Sequence, residues 1–373
     1  MNQFILADVL SLGPHDVANL SLGERARCTL ALAHLRGYAL PVARLPSLLL
    51  GGPVPREALE DALVDRSRIE VQDGIACIRG NGQLIPATRR RLSTHPGLEA
   101  RFDRLARAYV RELVDLLPTV ECVAVAGSFT SGGLCRDDDL DLNLFVRDKT
   151  KFLSYLAALV LAARYGLRTN GWHNWIGGEG GNGGQSGKGW TVGNGGNGGA
   201  PGNGAPADAM PLPFITKRIC INVIWERAEA RPFARKDAAL AFELLNSRPV
   251  YNAPYFDSVV ADNRWLLSYF PQMADRRLPA NGTALRENGM APRARGAPRP
   301  SGGRLVPGII GGMARLGVGE AVSRRAVRFL HALVKNYRAA YPEARSCAAR
   351  KERLKHPYGL LELPRPVQNG RRE

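Results

Sequence analysis

The sequence predicts an α+β fold built in three parts. Three features carry that expectation: helix-period segments closing on an Asp-Gly turn in the first quarter, two apolar strands joined through a Gly-Ser turn in the middle, and a basic, Gly/Pro-rich final quarter. A chain of 373 residues is long enough for two or three domains. The composition shifts divide it into residues 1–95, 96–275 and 276–373.

In the first part, Leu22 to Gly37 reads as a helix with Gly37 as its stop signal. Val42 to Leu50 makes a second, short helix, and Pro55 to Leu63 a third with proline near its first turn. Ile69-Glu70-Val71 and Ile75 to Ile78 flank Gln72-Asp73-Gly74 and form a hairpin. Three helices followed by a hairpin is the order of a winged helix-turn-helix. Its third helix carries Glu57, Glu60, Asp61 and Asp65 against Arg56, a poor match to a phosphate-lined groove. Packing or protein docking is therefore favoured over DNA reading. The Arg89-Arg90-Arg91 run that follows either touches a polyanion or begins the next helix.

The second part opens with a helix from His95-Pro96 to Leu117, with Leu98, Phe102, Leu105, Val110, Leu113 and Leu116 as a core-facing stripe. Pro118 leads into a strand, Glu121 to Ala126, that ends at Gly127-Ser128. A second strand follows, in which Leu140, Leu142 and Leu144 alternate with polar positions. Lys151 to Tyr165 is a helix closed by Gly166. Residues 171–213 are a Gly/Asn-rich tract with few side chains to pack, expected to be a flexible, disordered insertion. Its Gly187-Lys188 pair lacks the spacing of a phosphate loop, and His173, beside Trp172 and Trp175, is read as incidental. Phe214 to Trp225 is the next strand, followed by helices at Lys236 to Leu245 and Ser258 to Phe270. In the third part, Pro279 to Pro307 reads as a linker. Residues 317–340 read as a basic amphipathic helix with Val318, Ala321, Val322, Ala326, Phe329, Leu330, Leu333 and Val334 on or near one face.

The chemistry concentrates at 127–141. Period-two alternation points Asp139 and Asp141 the same way, and two like charges held together on a sheet are costly unless a cation lies between them. The Gly127-Ser128 turn offers N–H groups and a hydroxyl suited to phosphate oxygens. Together these are the parts of a metal-dependent phosphate site; the bland alternative is a polar hairpin on an ordinary α/β sheet.

Gly127-Ser128, ten residues, then Asp139-Leu140-Asp141 resembles the signature of the nucleotidyltransferase superfamily that includes DNA polymerase beta. Lys217-Arg218-Ile219-Cys220-Ile221-Asn222, the stretch Glu243 to Val250, and Asp262-Asn263-Arg264-Trp265 followed by Tyr269-Phe270-Pro271 resemble a little-characterised prokaryotic branch with a winged-helix segment ahead of its nucleotidyltransferase domain. The resemblance covers most of residues 20–275. It implies a polymerase beta-like mixed sheet flanked by helices. It implies that Gly127 and Ser128 hold the triphosphate of an NTP, and that Asp139 and Asp141 are the catalytic, metal-binding residues of a two-Mg²⁺ site. The implied reaction moves a nucleoside monophosphate from the NTP to a hydroxyl acceptor.

Active members carry a third carboxylate on a neighbouring strand. Here Asn222, within the branch's Cys-x-Asn motif, stands at that place, and an amide brings neither charge nor a base. Glu226 at the strand end is the nearest replacement. Asp137 and Asp138 either tune metal affinity or are solvated charge. Asn263, Arg264 and Trp265 contact nucleotide or, as the favoured reading, pack a helix onto the sheet. A second functional class stays open: a catalytically weak or inactive nucleotide- or nucleic-acid-binding regulatory protein. Asn222 favours it; the intact Gly-Ser and Asp-x-Asp motifs favour the enzyme.

The net charge is +17, and from Pro271 onward there are 21 Lys/Arg against 7 Asp/Glu. Such a field favours nucleic acid or another polyanion, with an arginine-rich compositional bias as the even alternative. No apolar run is long enough to span a bilayer, and Tyr155 to Ala163 fits a buried helix, so no membrane partner is expected. The N-terminus lacks the basic start of a secretory signal. Six cysteines lie without paired metal spacing, and Cys77, Cys122 and Cys220 within apolar runs read as core thiols. A reduced, cytoplasmic protein is the expectation.

Overall fold

The computed structural model describes residue 9 and residues 11–63, 68–136, 138–169, 219–275 and 319–329. The Gly/Asn-rich insertion, the 279–307 linker and Asp137 lie outside the described residues, as do residues 214–218 of the expected strand.

Helix α1 (Leu22–Leu35) starts at a capping box: the Glu24 amide donates to the Ser21 hydroxyl at 3.3 Å and the Ser21 amide to the Glu24 carboxylate at 2.9 Å. After it come β1 (Leu40–Pro41), a 3₁₀ turn at Val42–Arg44, α2 (Leu45–Leu48), α3 (Arg56–Ala62) and the hairpin β2 (Ile69–Gln72) and β3 (Ile75–Ile78). Asp73 and Gly74 both have positive φ, 51° and 71°, as a two-residue hairpin turn with the strands' own twist requires. The small sheet is antiparallel in the order β1-β3-β2. The expected second helix, Val42 to Leu50, is thus a 3₁₀ turn followed by one helical turn that ends at Leu48.

Helix α4 (Leu84–Leu116) begins well before His95 and carries Pro96 inside it. Proline inside a helix costs roughly 3 kcal/mol. Burial at both ends of the helix offsets this. Ile85 packs against Ala39, Ile75 and Cys77 of the small sheet, while Leu98, Phe102, Val110 and Leu113 pack against the larger one. Residue 95 therefore lies within one continuous helix.

The larger sheet is mixed. Strands β4 (Val120–Ala126), β5 (Leu140–Val146), β6 (Ile219–Glu226) and β7 (Arg248–Tyr251) stand in the order β6-β5-β4-β7. β4 is antiparallel to β5 and β7, and β5 is parallel to β6. The connecting helices are α5 (Gly127–Thr130), α6 (Lys151–Thr169), α7 (Arg227–Ala230), α8 (Ala238–Asn246), α9 (Ala253–Asp262), α10 (Trp265–Tyr269) and α11 (319–329). Together these elements make an α+β fold. α6 continues past Gly166. Packing such as the edge-to-face contact of Tyr165 on Tyr109 outweighs the roughly 1 kcal/mol that glycine costs.

Alternation splits the larger sheet into two faces. Val123, Val125, Leu140, Leu142 and Leu144 pack against α4 and α6. Cys122, Ala124, Phe145 and Trp225 pack into a second core that continues through α8, α9 and α10 into α1 and the small sheet. Hydrogen bonds fasten the same join: the Gly51 amide to the Tyr269 carbonyl at 2.7 Å, and the Gln272 side-chain amide to the Leu49 carbonyl at 3.1 Å.

One further expectation is corrected here. The single helix Ser258 to Phe270 is two helices, because Asn263 competes with the backbone. Buried to 1% exposure, its Nδ2 donates to the Ala230 and Val259 carbonyls while its Oδ1 accepts from the Phe233 amide and the Trp265 indole. Asn263 and Trp265 are thus packing residues. Of the expected helix 317–340 the described residues 319–329 form α11, and Val318, Leu330, Leu333 and Val334 of its apolar face lie outside the described residues. Val322 and Phe329 are 56% and 67% exposed, whereas Glu320, Ser323 and Val327 are buried.

Candidate metal centre

β4 delivers the chain to Gly127 with the register Ala126 opposite Asp141. Gly127 has φ +68°, and a Cβ there would lie 2.0 Å from Asp141 Oδ2. Glycine alone permits both the left-handed turn and this approach of backbone to carboxylate. The strand-turn-strand geometry thus brings the Gly127-Ser128 turn onto Asp141, with Ser128 half-buried in the first turn of α5.

The same geometry brings in a third group. In the parallel register of β5 and β6, Asp141 stands opposite Cys220. One ligand atom from each of Asp139, Asp141 and Cys220 lies within 4.8 Å of the others, and all three side chains are partly exposed. Two carboxylate oxygens and one sulfur at this separation fit a single divalent ion. Cys220 is therefore not the core thiol its apolar neighbours suggest; Ile219 and Ile221 are buried on the opposite face.

Asn222 does not stand in the third position. β6 carries an irregularity there: Leu142 pairs with Ile221, but Asn143 pairs with Val223. The Asn222 amide donates to Asn143 Oδ1 at 3.0 Å and to Glu243 Oε1 at 3.3 Å. Fully buried Asn143 donates in turn to Glu243 at 3.0 Å and to the Ser247 hydroxyl at 3.1 Å. Glu243, on α8, forms an ion pair with Arg36 at the end of α1. One face of the sheet thus runs from Asp139, Asp141 and Cys220, through a buried amide-carboxylate network, to Phe145 and Trp225. Glu226 lies at the far end of β6, opposite Val146, where it caps α6, so it is not the missing carboxylate.

The loop after the Gly-Ser turn is held by cations. Arg44 donates to the carbonyls of Ser131 and Thr130. Arg91 donates to the Gly133 carbonyl at 2.9 Å and to Asp138 at 2.7 Å, and Asp138 also accepts from the Cys135 amide at 2.8 Å. Asp138 is thereby a loop lock rather than a ligand. Arg248 lies 4.5 Å over the Phe129 ring. Burial lowers the pKa of both Arg44 and Arg248. His95 accepts at Nδ1 from the Leu134 amide, and burial pulls its pKa down, with Glu99 opposing and Arg44 and Arg248 reinforcing. These cations come from three separate elements, so no local motif announces them; only Arg91 lies in a basic run.

Compared with known proteins, the chain matches no family model, no curated protein and no solved structure. Among the described residues no helix is long and apolar enough to cross a membrane.

Proposed function

We propose that this protein is a metal-dependent nucleotidyltransferase that moves a nucleoside monophosphate from an NTP to a hydroxyl acceptor. The observation that carries the reading is the seating of Asp141 against Gly127, with Asp139 beside it. Asp139 and Asp141 hold the divalent ion, for which Mg²⁺ is the choice the resemblance implies. Once bound, such an ion polarises phosphate oxygens and lowers the pKa of an attacking hydroxyl. The amides and hydroxyl at Gly127-Ser128 orient the triphosphate. Arg44, Arg91 and Arg248 lend positive potential around that loop, which favours a polyphosphate. The polymerase beta-like reading of the sheet rests on the same motif. For the first domain, the order α1-β1-α2-α3-β2-β3 with sheet order β1-β3-β2 supports a winged helix. Its α3 exposes Glu57, Glu60 and Asp61, and its core is continuous with α8–α10, which supports packing rather than DNA reading.

The test is transfer of label from a radiolabelled NTP to an acceptor, or release of pyrophosphate, abolished in Asp139→Ala. No turnover with any NTP across a broad acceptor panel argues against the enzyme. The replacement of a third carboxylate by Cys220 favours a second reading, a regulatory protein that binds nucleotide or nucleic acid without turnover. That reading requires NTP or DNA binding that weakens steeply with salt, and fails if neither binds at low salt.

A further inference from the structure

We infer that Cys220 is the third ligand of this centre, and that its sulfur turns the preference away from Mg²⁺ toward borderline divalent ions such as Co²⁺ and Zn²⁺. The inference rests on the metal-site reading above and adds to it the identity of the ion. Three observations converge. Cys220 comes from a strand far from Asp139 and Asp141 in sequence, yet the parallel register sets it directly opposite Asp141. The three donor atoms fall within 4.8 Å of one another, and this is the one such triad among the described residues. The neighbouring oxygen groups are committed elsewhere: Asn222 to Asn143 and Glu243, Asp138 to Arg91 and the Cys135 amide, Glu226 to the start of α6.

The Asn222–Asn143–Glu243 network lies next to the triad on the same sheet face. It ties β6 to β5 and to α8 and so fixes the distance between sulfur and carboxylates. Mg²⁺ demands hard oxygen donors in near-octahedral array and gives up its water reluctantly, so a thiolate in its first shell is a poor exchange. Cobalt and zinc accept mixed oxygen and sulfur donors, whereas manganese, like magnesium, suits carboxylate, carbonyl and water oxygens. Binding replaces the S–H bond of Cys220 by a sulfur–metal bond and releases the proton to solvent, with no change in oxidation state. Cys220 contributes no base in this role; it selects the ion.

The probe is Cd²⁺ titrated into the full-length, chelator-stripped protein, read by ultraviolet thiolate-to-metal charge transfer, with Zn²⁺, Mn²⁺ and Mg²⁺ as competitors. The expected result is a band that saturates at a single equivalent, survives in Cys135→Ser and is lost in Cys220→Ser. Zn²⁺ displaces it, and Mg²⁺ in large excess does not. Cys220→Ser should weaken Zn²⁺ binding by about tenfold or more. Cys220→Asp should remove the band and admit Mg²⁺. A band that persists in Cys220→Ser, or unchanged Zn²⁺ affinity there, overturns the assignment of Cys220. If the protein then binds Mg²⁺ through Asp139 and Asp141, as judged by loss in Asp141→Asn, the metal-site reading survives alone. If no divalent ion binds the wild type, both fall together.

Discussion

Two groups of acids sit at opposite ends of the β5–β6 pair, and they differ in what meets them. At one end Asp139 and Asp141 meet a left-handed glycine turn and a thiol. At the other, Glu226 accepts from the amides of Thr150 and Lys151 at 3.1 and 3.2 Å, Glu229 pairs with the Lys151 ammonium at 2.8 Å, and Glu320 accepts from the amides of Phe152 and Leu153. That second group is spent on the first turn of α6, whose amides have no intrahelical partner and whose dipole favours negative charge. Burial raises the Glu226 carboxyl's pKa, and the Lys151 amide that it accepts pulls the other way. Acidity and proximity are common to both ends; the donors around them separate a helix cap from a cation site.

The largest effect that would break this contrast is on activity. Asp139→Ala should lower nucleotidyl transfer roughly a thousandfold, while Glu226→Gln should leave it within about twofold. Equal losses in the two variants, measured by label transfer under the same conditions, would mean that the two ends are not functionally distinct. Between the ends lies Glu243, 1% exposed, paired with Arg36 and bonded to Asn143 and Asn222. Removing one partner of a buried ion pair strands the other, so Glu243→Ala should cost about 3–5 kcal/mol in urea unfolding. A cost below about 1 kcal/mol would show that the network does not hold β6 to β5.

How much of this contrast the sequence carries depends on the range of the interactions. Gly127, Asp139 and Asp141 are legible because a glycine turn and a two-residue alternation are local. The hairpin at Asp73-Gly74 is legible for the same reason. Cys220 is hidden by its apolar flanks; its one signal is that Ile219 and Ile221 alternate away from it, and the register that sets it opposite Asp141 is a long-range fact. β1 and β7, of two and four residues, exist because a partner strand is there to pair with. Glu226 and Glu320 meet α6 across 75 and 168 residues, beyond any motif. Pro96 misleads because a local rule for helix starts is overridden by burial along both halves of α4.

A third ionisable group sharpens the comparison by having no polar partner. His34 is 6% exposed, and neither ring nitrogen has a hydrogen-bond partner among the described residues. Burial lowers its pKa from 6.5 to about 4. The unfolded chain therefore takes up this proton first on acidification. The stability contributed by neutral His34 is complete above about pH 6.5, falls as pH drops toward about 4, and is flat below that. The full change is on the order of 3 kcal/mol. His34→Leu should flatten that part of the profile in urea unfolding across the window. A wild-type slope that persists unchanged in the variant assigns the acid sensitivity to other groups.

The smallest effect concerns the capped end. Glu320 reaches the α6 amides from α11, so its carboxylate ties the far segment of the chain to the sheet domain. Glu320→Gln keeps an acceptor oxygen but removes the charge that favours a helix start, and should cost about 1 kcal/mol. Hydrogen exchange should quicken at the Phe152 and Leu153 amides, while the Cd²⁺ band at the other end of the sheet stays as it was. A variant that shifted that band would show that the two ends communicate through β5 and β6, and that the cap holds the metal centre's geometry as well as the helix.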